Sequence, residues 1–329
     1  MKKYIAVLLL SLICSAGCKK SLLDLDPITS GSVDNFYQTQ SDFQYAVNAL
    51  YATLRAEGIV NEFVLGDLPT DDTYTASGRL IQGEPDFDNL TVAPSTSAAS
   101  TILANRWANC YVGINRANLI INKIDPISFT ASLKNQYKGE ALFFRAFFYF
   151  TLVKTFGDVP LVTVSPATVS ESYTYSRTSK TQVYAVIEND LKTAINLLPS
   201  TYTSADLGRV SRISAKALLG RVLLFQSKFT EAAPVLKTAI DTPANYGLVT
   251  TGYASVFAYN NGANKEILFS NQYSAAVVGQ QSGITNIFTQ TNFPTPDIYK
   301  AFEAGDTRRD ASIQGTPGTT GTVKKFADP

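Results

Sequence analysis

The stretch Glu140-Ala-Leu-Phe-Phe-Arg145-Ala-Phe-Phe-Tyr-Phe-Thr-Leu-Val-Lys154-Thr-Phe156-Gly157-Asp158-Val159-Pro160-Leu-Val-Thr163 decides the fold class. From Ala141 to Val153 almost every residue is apolar, so the segment predicts a helix, beginning near Ser132, that is buried on most sides. Arg145 within the run, and its limited length, argue against a membrane span. Gly157-Asp158-Val159-Pro160 stops the helix, because glycine leaves the helical backbone easily and proline cannot donate to it. Glu140 and Arg145 are five positions apart and do not face each other, so each is expected to pair with a neighbouring element rather than act in catalysis. Phe143, Phe144, Phe147 and Phe148 are expected in the core.

More helices flank this one. Phe43, Ala46, Val47, Leu50, Tyr51 and Leu54 recur at helical spacing after a Ser41-x-x-Gln44 capping box, and the pattern stops near Gly58. A second helix is predicted from about Thr101 to Asn122, with Trp107, Cys110, Tyr111, Ile114 and Ile121 on one side. Beyond the Leu161–Ser176 loop, a Ser179-x-x-Gln182 box opens a helix whose core face carries Val183, Val186, Ile187, Leu191, Ala194, Ile195 and Leu198. Ser211–Gln226 and Thr230–Ile240 then form a tight pair. Leu219-Gly220-x-x-Leu223, Ala232-x-x-x-Leu236, Ala239 and Pro243 match the spacing of a tetratricopeptide repeat, in which small residues let antiparallel helices approach closely. An ordinary helical hairpin is the alternative.

Composition narrows the function. The chain has 329 residues, 45% hydrophobic and 17% charged, which suits a globular protein with a sizeable core. With 28 Lys and Arg against 27 Asp and Glu there is no basic surplus of the kind that holds nucleic acid. The chain contains 0 histidines, which excludes Ser-His-Asp and Cys-His catalysis and histidine-bearing metal sites. No cofactor is expected.

The first residues read as an export address. Met1-Lys2-Lys3 precedes a short apolar run, Ile5 to Ile13, well below the ~20 residues of a membrane span. Ser15-Ala16-Gly17-Cys18 has the arrangement of a bacterial lipobox, with Ser15 where leucine is commoner. Residues 1–17 are therefore expected to be a lipoprotein signal peptide and Cys18 the lipid anchor; ordinary signal cleavage is the other reading. Cys14 leaves with the signal, so Cys110 is the one unmodified thiol of the mature chain, expected as a buried hydrophobe.

The segment from Glu140 to Thr163 resembles the signature helix and turn of the SusD/RagB family of outer-membrane nutrient-binding lipoproteins. Other pieces agree in order. Cys18-Lys-Lys-Ser-Leu-Leu-Asp24-Leu-Asp26-Pro27 is similar to the family's post-anchor segment, and Trp107, Tyr111, Ile114, Asn115 and Asn118 to its Trp-Tyr-Ile-Asn helix. Arg212 to Leu224 resembles its repeat helix, and Phe293-Pro-Thr-Pro-Asp297 with Asp306-Thr-Arg308-Arg309 its later elements. The resemblance implies a mainly α protein, with tetratricopeptide-like helix pairs as scaffold and long loops as the ligand face, forming one SusD-like domain over residues 18–329. It implies lipid anchoring at the outer membrane, facing outward, as the partner of a SusC-like TonB-dependent transporter that receives a captured glycan or peptide. It also implies a further repeat helix beyond Pro329, so the family's C-terminal part is expected to be missing.

Ligand candidates come from loop chemistry. A sugar ring lays its C–H face on an aromatic ring while its hydroxyls seek Asp, Asn, Gln and Arg. That mixture occurs in Gly66–Ala99 and Tyr253–Asn292, and the candidates are Asp71, Asp72, Tyr74, Arg79, Phe87, Tyr273 and Asn292. Trp107, on the apolar side of its helix, is read as core ahead of platform. Asp67, Asp71, Asp72, Asp86 and Asp88 match no calcium-loop spacing and are read as solvated acids. Two alternatives are a helical-repeat lipoprotein scaffold that binds protein, and a glycosidase using two carboxylates such as Asp71 and Asp86.

Overall fold

The computed structural model describes residues 33–56, 62–75, 84–92, 98–203, 206, 208–241, 246–258, 264–271, 273, 292–316 and 321–324. Residues 1–17, expected as the signal segment, Cys18 and Arg79 lie outside the described residues. Six helices form the frame: α1 (Gln40–Thr53), α2 (Ala98–Lys123), α3 (Ala131–Phe156), α4 (Lys180–Leu197), α5 (Arg212–Phe225) and α6 (Phe229–Ile240). The protein is mainly α, and its strands among the described residues form three short two-stranded ribbons: β1 (Thr73–Thr75) with β4 (Asn292–Pro294), β2 (Val159–Pro160) with β3 (Arg177–Thr178), and β5 (Ile313–Gln314) with β6 (Thr322–Val323).

Helix α3 is the axis of the core. Its side chains are buried almost all round from Gly139 to Val153, as the unbroken apolar run requires. Helices α2 and α4 pack along it, and α1 covers both α2 and α3. Where α2 and α3 cross, a Cβ at Gly113 would overlap the Phe148 ring, so only glycine fits there. Gly157, at φ 69°, takes the left-handed conformation that ends α3, and its N–H donates to the Val153 carbonyl. The pair α5 and α6 packs antiparallel like a tetratricopeptide unit: a Cβ at Gly220 would run into the Leu236 side chain, and Ala232 is fully buried.

Two helix starts differ from expectation. The capping box of α1 is Thr39 with Asp42, two residues earlier than Ser41 with Gln44: Thr39 is extended and its Oγ1 accepts from the Asp42 N–H, while the Asp42 carboxylate accepts from the Thr39 N–H at 2.8 Å. An ionised carboxylate accepts more strongly than an amide oxygen, so it takes the position. These bonds also hold the Asp42 pKa below its ordinary value. At α4, Ser179 donates to the Gln182 side chain at 2.9 Å but does not cap the backbone.

The two charged side chains in the buried stretch of α3, Glu140 and Arg145, are paired with neighbouring elements, as the sequence suggested. Arg145 grips Asp190 of α4 with two bonds, Nε to Oδ2 at 2.7 Å and Nη2 to Oδ1 at 2.8 Å, and its Nη1 donates to Asn118 of α2. Glu140 accepts from Tyr51 at 2.7 Å, Gln136 at 2.8 Å and Arg209 at 3.1 Å. Burial raises the Glu140 pKa, with Arg209 and the hydrogen bonds pulling against it. Cys110 is fully buried, and burial pushes its thiol up to about 12, where it is inert. Among the described residues no helix is long and apolar enough to cross a membrane.

Candidate functional site

Two segments far apart in sequence meet in one ribbon. Thr73-Tyr74-Thr75 forms β1 and Asn292-Phe293-Pro294 forms β4, paired antiparallel with Thr73 opposite Pro294, Tyr74 opposite Phe293 and Thr75 opposite Asn292. β-Branched and aromatic residues suit the extended backbone, and Pro294 sits at the strand end where its missing N–H costs no ladder bond. Each end is pinned. Thr295 donates its hydroxyl to the Asp71 carbonyl at 2.5 Å and its N–H to the Asp72 carbonyl at 2.9 Å, and its Oγ1 caps the helix Pro296–Ala301. Asp88, on the one-turn helix Glu84–Asp88, accepts from the N–H and the hydroxyl of Thr75 at 3.2 and 3.1 Å.

The ribbon has two faces, because successive side chains alternate. One carries the half-buried Tyr74 and Phe293 rings, with centroids 6.0 Å apart and planes at 40°. On the other, Thr73 and Pro294 line an open cavity of about 650 Å³ together with Asp67, Asp72, Tyr253, Phe302 and Arg308. The buried Thr73 hydroxyl has no hydrogen-bond partner among the described residues. Arg308 forks onto Asp306, with Nε to Oδ1 at 2.9 Å, which cancels that charge and leaves Asp67, Asp72 and Glu303 as the cavity's acids without an ion-pair partner among the described residues. Partial desolvation, then the charges of Asp72 and Glu62, raise the Asp67 pKa.

Of the sequence candidates, Asp71, Asp72 and Tyr74 lie on the ribbon or at its end, and Asn292 takes its place in β4. Phe87 is a correction. It is 6% exposed and packs with Val64, Leu68 and Ile102 in a second apolar cluster, so it is core rather than a sugar platform. Tyr273 is 38% exposed, accepts from Asn271 at 3.0 Å and feels the charge of Arg55; none of these contacts involves the ribbon. Its neighbour Phe269 packs against Tyr51, Phe143 and Phe144, so part of the long polar segment is anchored in the core. The sequence reading missed Thr73, Phe293 and Thr295 as site residues, although Phe293-Pro-Thr-Pro-Asp297 carried the signal of a strand end followed by a capped helix. Among the described residues no cluster of three or more Cys, Asp or Glu is placed to hold a metal ion.

Residues 30–224 match a family model, SusD-like, described as starch-binding and associating with the outer membrane. The chain belongs to the SusD-like family. SusD-like protein P2 of Formosa agariphila is 28% identical over 340 residues, covering 96% of this chain and 65% of that protein. SusD-like protein P25 of the same organism is also 28% identical, covering 82% of this chain and 51% of the relative, so this chain spans about half to two-thirds of their length. Among solved structures, a laminarin-binding SusD-like protein superposes with a TM-score of 0.76 at 26% identity, covering 89% of this chain and 73% of its own. A surface glycan-binding protein A from Bacteroides thetaiotaomicron, in complex with laminarihexaose, shares the fold with a TM-score of 0.74 at 19% identity.

Proposed function

We propose that this protein is a lipid-anchored glycan-binding subunit of an outer-membrane nutrient importer, which captures oligosaccharide and hands it to a SusC-like TonB-dependent transporter. The observation that carries the reading is the β1–β4 ribbon, which carries the Tyr74–Phe293 aromatic pair on one face and, on the other, walls a cavity lined by Thr73, Asp67 and Asp72. Aromatic rings take the C–H face of a sugar and the acids take its hydroxyls. The likeness to a laminarin-binding member of the family supports a glycan over a peptide. Cys18 supplies the lipid anchor after removal of residues 1–17, and the remainder works as one domain facing outward at the outer membrane. Binding rather than turnover is the output, in keeping with a chain that has 0 histidines.

The test is a thermal-shift screen against neutral oligosaccharides and short peptides, since a ligand that binds only the native state raises its melting temperature. Oligosaccharides are expected to shift the melt and peptides are not. A second reading, a protein-binding scaffold, has one observation in its favour: Phe225, Phe229 and Ile240 stand 55%, 63% and 80% exposed on the α5–α6 pair. It predicts a cooperative melt that no oligosaccharide moves.

A further inference from the structure

A second pocket lies on a different part of the molecule, between one face of α2 and the segment that follows α3. It has a volume of about 310 Å³ and is lined by Trp107, Tyr111, Asn115, Pro160, Val162 and Tyr175 among others, none of which is charged. Trp107 forms its aromatic wall, held edge-on by Phe156 at 5.2 Å between centroids and tilted against Tyr111 at 5.1 Å. The Tyr111 hydroxyl is committed to the Pro160 carbonyl at 2.7 Å. In contrast, the Trp107 indole N–H, the Asn115 amide nitrogen and the Tyr175 hydroxyl form no hydrogen bond among the described residues. The Asn115 amide is nonetheless oriented, because its oxygen accepts from Ser165 at 2.7 Å.

The backbone on the opposite wall decides between classes of occupant. The Pro160 carbonyl is taken by Tyr111. The Val162 carbonyl is taken by Asn118 at 2.8 Å and Tyr149 at 2.9 Å, and the Val162 N–H donates to Tyr149 at 2.7 Å. An extended peptide that docks by adding a strand would find those groups spent. What the pocket offers is chiefly side-chain chemistry: aromatic faces, the Trp107 and Asn115 N–H donors and the Tyr175 hydroxyl, with no charged lining residue to meet an ion. Such a pocket, at the small end of ligand-site volumes, takes a compact neutral molecule with an apolar face and hydroxyls at its edge.

We infer that the Trp107 pocket is a second binding site, separate from the β1–β4 ribbon, for a single neutral sugar ring. The inference shares the ligand class of the proposed function but not its site, and each can fail without the other.

Trp107 is the chain's 1 tryptophan, so its emission reads this pocket and no other. The experiment titrates the purified full chain with glucose and with laminaribiose, following tryptophan fluorescence, alongside calorimetry on the same solutions. A saturable change in emission is expected, about tenfold weaker in Asn115→Ala and in Tyr175→Ala, each of which removes one ligand-facing group, and unchanged in Tyr74→Ala. No saturable change, a change equal to wild type in both pocket variants, or a change abolished by Tyr74→Ala overturns the inference. Calorimetric heat that Tyr74→Ala removes, with silent tryptophan emission, sinks the second site and leaves the ribbon standing. An emission change sensitive to Asn115 and Tyr175, with no heat that depends on Tyr74, upholds the pocket and sinks the ribbon.

Discussion

Tyr74 and Phe293 lie directly across a two-stranded antiparallel ribbon from each other, their rings 6.0 Å apart, although they come from opposite ends of the chain. That pairing turns two separate polar segments into one surface, and Thr295 locks it through the backbone carbonyls of Asp71 and Asp72. Thr295→Ala removes a helix cap and a ribbon tie together. It is expected to lower stability by about 1 kcal/mol and to weaken oligosaccharide binding, whereas Thr295→Ser, which keeps the hydroxyl, restores both. Chemical denaturation and calorimetry on the two variants check this.

The cavity acids with no ion-pair partner among the described residues, Asp67, Asp72 and Glu303, set the sign of charge the site tolerates. A glycan carrying uronate or sulfate groups is expected to bind at least about fivefold more weakly than its neutral counterpart at low salt, with the gap narrowing as salt screens the repulsion. Paired titrations at two ionic strengths measure it.

Glu140 is buried against Tyr51, Gln136 and Arg209, with its pKa raised by that burial. Glu140→Ala leaves Arg209 and the Tyr51 hydroxyl without their buried partner and is expected to cost about 3–5 kcal/mol. The sign of the pH effect follows from the direction of the shift. A carboxyl whose folded pKa exceeds its unfolded one adds stability below the unfolded value, and that contribution is lost as pH rises through the folded value. Glu140→Gln is therefore expected to flatten the dependence of stability on pH above the ordinary glutamate range, read from denaturation midpoints at a series of pH values.

Gly220 faces Leu236 at the closest approach of α5 and α6. Glycine to alanine in a helix interior ordinarily stabilises by about 1 kcal/mol, but here the added methyl meets the leucine side chain, so Gly220→Ala is expected to destabilise by about 1–3 kcal/mol. In the Gly220→Ala/Leu236→Ala double variant the two losses are expected not to add, since the cavity from one change receives the methyl from the other. Melting temperatures of the four-protein cycle decide it.

The helical frame was legible because its signals are local and repeated. The apolar run from Ala141 to Val153, the stop at Gly157 and the Gly220–Leu236 contact each follow from spacing and residue size. The partners of Glu140 and Arg145 were legible as a requirement, since a buried charge needs one, but Asp190 and Arg209 could not be named: nothing in sequence marks which distant acid or base folds onto them. The ribbon was not legible at all. Three residues per strand carry no period, and the register of Tyr74 on Phe293 is a long-range choice made by the Thr295 and Asp88 ties. Phe87 misled for a related reason: among Asp86, Asp88 and polar neighbours it looks like an exposed loop aromatic, yet the single turn Glu84–Asp88 points it at Val64 and Leu68.

Glycan capture at the ribbon is tested most directly by isothermal titration of wild type and Tyr74→Ala with the neutral oligosaccharide that most raises the melting temperature. With the melt of the unliganded variant unchanged, Tyr74→Ala is expected to bind about tenfold more weakly, the loss of one aromatic platform. Wild-type affinity in Tyr74→Ala and in Phe293→Ala alike would contradict the account and move the ligand away from the ribbon.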